Sequence, residues 1–166
     1  MEPLTPSSSP PSPSPLGVGG DRGAAGPEKL SARPVIPGHG EGPALVSTEA
    51  LSFWGDVDPA TGRVTNPRHP LHGERLGGRV LVYPSGRGSC TTSNILLELI
   101  RTSQAPAAIV TRAVEPVLAV GPLVGEALYG RTIPLVTLDE DAFGRIRPGD
   151  WLVVDAVGGA VTRSRP

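Results

Sequence analysis

Apolar and polar positions alternate in no regular way over the first 33 residues, and the pattern sharpens only beyond them. Residues 1–15 hold six Pro and five Ser, and residues 16–33 remain rich in Gly and polar groups. Too few apolar side chains lie there to offset the entropy of ordering the chain. The expectation is a disordered tail and linker over residues 1–33 and one domain over residues 34–166, about the size of an ordinary single domain. Within that domain the first strand-like run is Pro43–Ser47, and Leu51–Trp54 follows it as a second apolar stretch. Asp58-Pro59-Ala60-Thr61-Gly62 has turn chemistry, with Pro presetting φ and Gly supplying a positive one. Residues 66–78 carry Pro, His and Gly in a loop expected to run over the surface.

The middle of the chain has the clearest pattern. Arg79–Tyr83 is an almost unbroken apolar run, Pro84-Ser85-Gly86-Arg87-Gly88 interrupts it, and residues 89–100 return to a helical spacing through Ile95, Leu96 and Leu99. Ala107–Val110 then forms a second apolar run, so the stretch predicts a βαβ unit with parallel strands. A second helix is expected over 115–128 despite Pro116 and Pro122, and a strand over 133–138. The chain then turns at Arg147-Pro148-Gly149-Asp150 and ends in a hairpin, strands 151–156 and 160–163 about a Gly158-Gly159 turn. Antiparallel pairs at the ends around a βαβ centre predict an α/β fold, a small mixed-sheet barrel or sandwich with one or two helices outside.

Composition narrows the function classes. Fifteen basic against sixteen acidic residues give a net charge of −1, and no arginine stripe suits a polyanion, so nucleic acid is excluded as a partner. The single cysteine, Cys90, permits no internal disulfide and no iron-sulfur cluster bound by this chain alone. No apolar run is long enough to span a membrane, and the N-terminus lacks the pattern of a signal peptide, which makes the cytoplasm the expected compartment.

Candidate chemistry gathers at Gly86-Arg87-Gly88-Ser89, the link between a buried strand and a helix N-terminus. Gly86 and Gly88 let the backbone approach a ligand, the helix dipole favours an anion, and Arg87 can add a bidentate contact to a carboxylate or phosphate. A hydroxyl in that field is easier to deprotonate, which makes Ser89 a candidate general base. The structural alternative is that Ser89, Thr91 or Thr92 caps the helix. Cys90 reads as a small packed side chain. His39 reads as a loop histidine, His69 and His72 receive no metal role, and Phe53, Trp54 and Trp151 are expected in the core.

Several of these segments in order carry a resemblance. Gly40–Ser47, Leu51–Gly55 with Val57-Asp58-Pro59 and Thr61-Gly62, Pro67–Leu71, Val80–Pro84, Gly86–Cys90 and Ala105–Ile109 together resemble the swivel domain, or small subunit, of the aconitase X family, over residue 38 to the C-terminus. The chain differs from the family pattern at Asp56 and Thr92, where glycines are usual. The resemblance implies a swivelling β/β/α domain that closes over a larger, cluster-bearing dehydratase subunit to form a heterodimer. It places the catalytic base on Ser89, with Arg87, Gly86 and Gly88 toward the substrate and the iron-sulfur cluster on the partner, where the metal acts as a Lewis acid. Its implied substrate is a small hydroxy acid: cis-3-hydroxy-L-proline first, mevalonate 5-phosphate as the alternative. A swivelling, anion-binding module without catalysis is the remaining class.

Overall fold

The computed structural model describes residues 26–86, 90–113 and 116–166. Fourteen elements follow one another: β1 (Glu28–Ser31), β2 (Arg33–Ile36), β3 (His39–Val46), α1 (Phe53–Asp56), β4 (Val57–Asp58), β5 (Arg63–Val64), β6 (Val80–Val82), α2 (Cys90–Arg101), β7 (Ala108–Thr111), α3 (Pro116–Tyr129), β8 (Leu135–Thr137), α4 (Glu140–Phe143), β9 (Trp151–Asp155) and β10 (Ala160–Ser164). Eight strands form one mixed sheet in the order β1-β10-β9-β3-β6-β7-β8-β2, and β4 and β5 make a separate hairpin around the Asp58–Gly62 turn. The pairs β3/β6, β6/β7 and β7/β8 are parallel; β1/β10, β10/β9, β9/β3 and β8/β2 are antiparallel.

The two edge strands are consecutive in sequence. Ala32 alone separates β1 from β2, yet β1 pairs with β10 at one edge and β2 with β8 at the other. The edges therefore meet, and the sheet curls until it is nearly a closed barrel with four flanking helices. Ala32 N–H donates to Gly159 O at 2.9 Å, fastening the crossing point.

Closure creates two cores. Inside the barrel Ala44, Val80, Val82, Val110, Val136 and Val154 pack together. On the outside of the parallel strands, the alternate residues Leu45, Leu81, Ile109 and Leu135 pack against α2 and α3. Strands buried on both faces read as continuous apolar runs, which is why β6 and β7 were visible in the sequence. Helix α2 buries Thr92, Ser93, Leu96, Leu99 and Ile100, one face at helical spacing. Helix α3 contains both Pro116, at its first position where a missing N–H costs nothing, and Pro122 in its interior. Its Gly121 and Gly125 let α2 come close: a Cβ on Gly121 would lie 2.5 Å from Ser93 O, and one on Gly125 2.8 Å from Ile100 Cδ1.

Several expectations need correction. Residues 28–31, read as linker, form β1, whose Leu30 is buried inside the barrel. Loop 66–78 runs over the surface, as expected, but is pinned to the core by buried His69, Leu71 and Leu76. The C-terminal hairpin pairs Asp155 with Ala160, so its loop spans four residues, with Asp155 Oδ1 accepting from Val157 N–H and Gly158 N–H at 3.1 and 2.7 Å. Phe53 is core, but Trp54 is 61% and Trp151 47% exposed. His39 opens β3 opposite Asp155, with Nε2 3.1 Å from its Oδ1.

Among the described residues Arg163 of β10 and Asp150 are buried charges. Arg163 donates to Glu28 Oε2 at 2.7 Å, to Asp150 Oδ2 at 3.2 Å and to the Arg145 carbonyl at 2.9 Å. Glu28 receives a second guanidinium, that of Arg145, at 2.9 Å. The hydrogen bonds from Arg145 and then Arg163 hold the Glu28 carboxyl below its ordinary value of 4.5.

Two outcomes follow from this architecture. Leu30→Ala should cost about 2–5 kcal/mol, the range for a buried leucine, read as a lower urea midpoint with an unchanged slope; a linker residue would leave the midpoint in place. Glu28→Gln should lower the melting temperature at pH 7. A carboxyl held below its unfolded value contributes above that value and loses the contribution as the pH drops through its folded one. The gap between parent and variant should therefore close as the pH falls below 4.5. A gap that persists undiminished at about pH 3 would separate Glu28 ionisation from stability.

Candidate functional site

The four parallel strands β3, β6, β7 and β8 end on the same side of the sheet, the side where open α/β sheets place ligands. Ser47, Tyr83–Gly86, Arg112 and Leu138-Asp139 follow their last residues. The segment joining β6 to α2 is the sequence-derived candidate, and the structure shows how its flanks are held. Tyr83 is fully buried, edge-on to Phe53 with ring centroids 6.4 Å apart, and its N–H donates to Val110 O at 3.1 Å. Gly86 is buried and forms a parallel bridge with Leu51. Arg87, Gly88 and Ser89 lie outside the described residues, and α2 begins at Cys90 immediately after them.

The residues around Leu51 serve as a brace for that segment. Asp56 uses both carboxylate oxygens, accepting from Ser52 N–H at 2.9 Å and from Asn66 Nδ2 at 2.7 Å. Gly55 allows the chain to reverse at φ +88°, which leaves Trp54 pointing outward. The departure at Asp56 thus has a structural use: its side chain closes the turn that presents Leu51 to Gly86. On the helical side, Ser93 Oγ donates to Val117 O at 2.5 Å, so the first turns of α2 and α3 are tied to each other. Thr92 faces inward in the first turn of α2 and is fully buried, so it caps nothing. Cys90 is exposed, not packed.

Beside this segment the barrel has an open mouth, which the sequence reading missed. A cavity of about 270 Å³ lies there, with Val46, Phe143 and Ile146 as an apolar wall and Arg112, Glu140 and Arg147 at its rim. Its outer wall depends on α4, a four-residue helix whose N-cap, Asp139, accepts from Ala142 N–H at 2.8 Å. An Asp before Glu-Asp-Ala was the available sequence signal for that helix start. Arg112 Nη1 donates to both oxygens of Glu140, at 2.7 and 2.6 Å, and the guanidinium carbon lies 5.6 Å from the centre of the Phe143 ring.

Elsewhere on the surface α3 is unusual. Val120, Leu123, Val124, Leu128 and Tyr129 are exposed along it, and Glu126 is its only charged residue. Among the described residues no three His, Cys, Asp or Glu side chains come together as metal ligands, so these residues do not fit an iron-sulfur cluster. No helix among them is long and apolar enough to cross a membrane.

Comparison with known proteins gives this arrangement a lineage. Over 108 residues the chain is 47% identical to the cis-3-hydroxy-L-proline dehydratase of Pseudomonas aeruginosa, matching 65% of this chain and 19% of that protein. It therefore spans about one fifth of that relative's length. Over 134 residues it is 40% identical to the phosphomevalonate dehydratase small subunit of Methanothermobacter thermautotrophicus, matching 80% of this chain and 98% of the subunit. The crystal structure of aconitase X from Thermococcus kodakaraensis, in its holo form, superposes with a TM-score of 0.73 at 34% identity, covering 82% of this chain and 98% of that one. The family model of the aconitase X swivel domain matches residues 29–163, from the first strand of the barrel, β1, to the last, β10. The chain belongs to the aconitase X swivel-domain family.

Proposed function

We propose that this chain is the small subunit of a hydro-lyase, supplying Ser89 as the base that dehydrates a small hydroxy acid. The observation that carries the reading is the braced segment at Gly86: a family member keeps Gly-Arg-Gly-Ser between a parallel strand and a 12-residue helix, at the ligand-binding end of the sheet. Ser89 takes a proton from carbon, the electron pair forms the new double bond, and hydroxide leaves from the neighbouring carbon. The helix dipole of α2 favours the alkoxide that does this, and Arg87 with the Gly86 and Gly88 backbone receives the anionic end of the substrate. The iron-sulfur cluster of this reading belongs to the larger partner, since the described residues of this chain do not fit one.

The 98% coverage of a separate small subunit supports a two-chain enzyme. The higher identity to the hydroxyproline relative supports cis-3-hydroxy-L-proline as substrate, and the matching length of the small subunit favours mevalonate 5-phosphate as the second reading. The apolar face of α3 suits the larger subunit: a helix that is apolar on nearly every side is one that an assembly covers.

Co-expression with the larger subunit and assay of both substrates tests the proposal. Ser89→Ala should reduce turnover about 10²–10⁴-fold with little change in KM, the loss of a general base; turnover within about tenfold of the parent would return Ser89 to helix capping. Leu123→Asp, at a side chain 50% exposed, should leave the melting curve of the isolated chain unchanged. It should weaken binding of the larger subunit about 30-fold or more, as at an interface hot spot, measured by calorimetry. Undiminished binding would place the partner on another face.

A further inference from the structure

The mouth of the barrel has the parts of a ligand site that the Ser89 segment does not account for. It lies on the barrel-interior side of the sheet, whereas α2 and α3 cover the opposite side. We propose that this cavity binds a small organic carboxylate, with Arg112 as the guanidinium that receives it and Val46, Phe143 and Ile146 as the wall that covers its apolar body.

The geometry of Arg112 carries the argument. A guanidinium offers five N–H donors in a fixed fork. Among the described residues Glu140 engages Nη1 alone, through both carboxylate oxygens. The edge formed by Nε and Nη2, the one that matches a planar carboxylate, is unused. The side chain is nonetheless held by Phe143, which lies under the guanidinium, and the Arg112 backbone N–H is anchored on Pro84 O at 3.2 Å. Glu140 is 78% exposed, so its pairing with Arg112 contributes little and a second carboxylate can add to it or replace it at small cost.

Charge and volume fix the class of ligand. The rim holds two guanidiniums, Arg112 and Arg147, against one carboxylate, Glu140. Arg147 is itself kept in place by donating Nη1 to the carbonyls of Gly144 and Ile146. A single negative charge therefore completes the rim. The cavity of about 270 Å³ has room for a body of a few carbons, at the small end of ligand pockets, and its wall is apolar. Inorganic phosphate satisfies the charge but leaves that wall uncovered. None of this depends on Ser89 being a base, because the site is formed by this chain alone.

The test is a titration of the ¹⁵N-labelled full chain with isobutyrate, with inorganic phosphate as the comparison. Saturable shifts are expected at Thr48, Arg112 and Gly144, at about millimolar concentration for a ligand of this size, with phosphate weaker. Arg112→Ala should weaken isobutyrate about tenfold or more, as loss of a charge-assisted contact does. Glu140→Gln should tighten it, since the resident carboxylate is removed while the guanidinium stays over Phe143. Thermal melts of both variants establish that they fold, and Arg68→Ala, an exposed arginine outside the mouth, should bind as the parent does. Absence of saturation, binding unaffected by Arg112→Ala, weaker binding in Glu140→Gln, or shifts equal for both probes and abolished at about 0.15 M salt would each overturn the proposal.

Discussion

The fold depends on one residue's worth of chain. Because only Ala32 separates the strands at the two edges, the sheet cannot lie open, and every other feature follows from the curl this forces. It gives the parallel strands two buried faces, one toward the barrel interior and one toward α2 and α3. It also brings their C-terminal ends around a common rim, so that a backbone segment braced by Leu51 and a cavity walled by α4 are neighbours rather than opposite ends of a flat sheet.

The charged cluster at Arg163 protects that closure where it is weakest. An edge strand with a single inward leucine, Leu30, gains little from burial alone. Glu28, at the start of the same strand, is held by two arginines from different segments, and Asp150 gives the buried guanidinium a second carboxylate. Removing one member leaves a charge without its partner in a poorly hydrated place, which costs more than the pair contributes when intact.

How much of this was legible in the sequence follows from how local each feature is. The unit from β6 to β7 was legible because its strands are buried on both faces and its glycines lie within a few residues of the helix they introduce. β1 and β2 were not, since each directs few side chains inward and their polar remainder, Glu28, Lys29 and Arg33, looks like linker. Trp54 and Trp151 show that a scarce aromatic need not be core: Gly55 turns the first outward, and strand alternation puts the second on the outer face of β9. The end of the strand before Gly86 and the start of α2 near Cys90 were readable from their own residues. The mouth was not, because Val46, Arg112 and the Phe143–Arg147 segment come from three separate stretches and meet only after closure.

The pairing of the first strand with the last has a further implication. Glu28 and Arg163 are register partners, so the chain enters and leaves the domain at adjacent points, and Asp150 and Arg145 place both beside the mouth. A domain whose entry and exit adjoin is a portable module: it can be spliced onto another polypeptide through one short tether without cutting any strand. Gene fusion and fission then become simple exchanges, consistent with a unit that matches nearly all of one relative and about a fifth of another. Because the tether would leave from the rim that carries the Gly86 segment, either arrangement delivers the same face to whatever is joined to it.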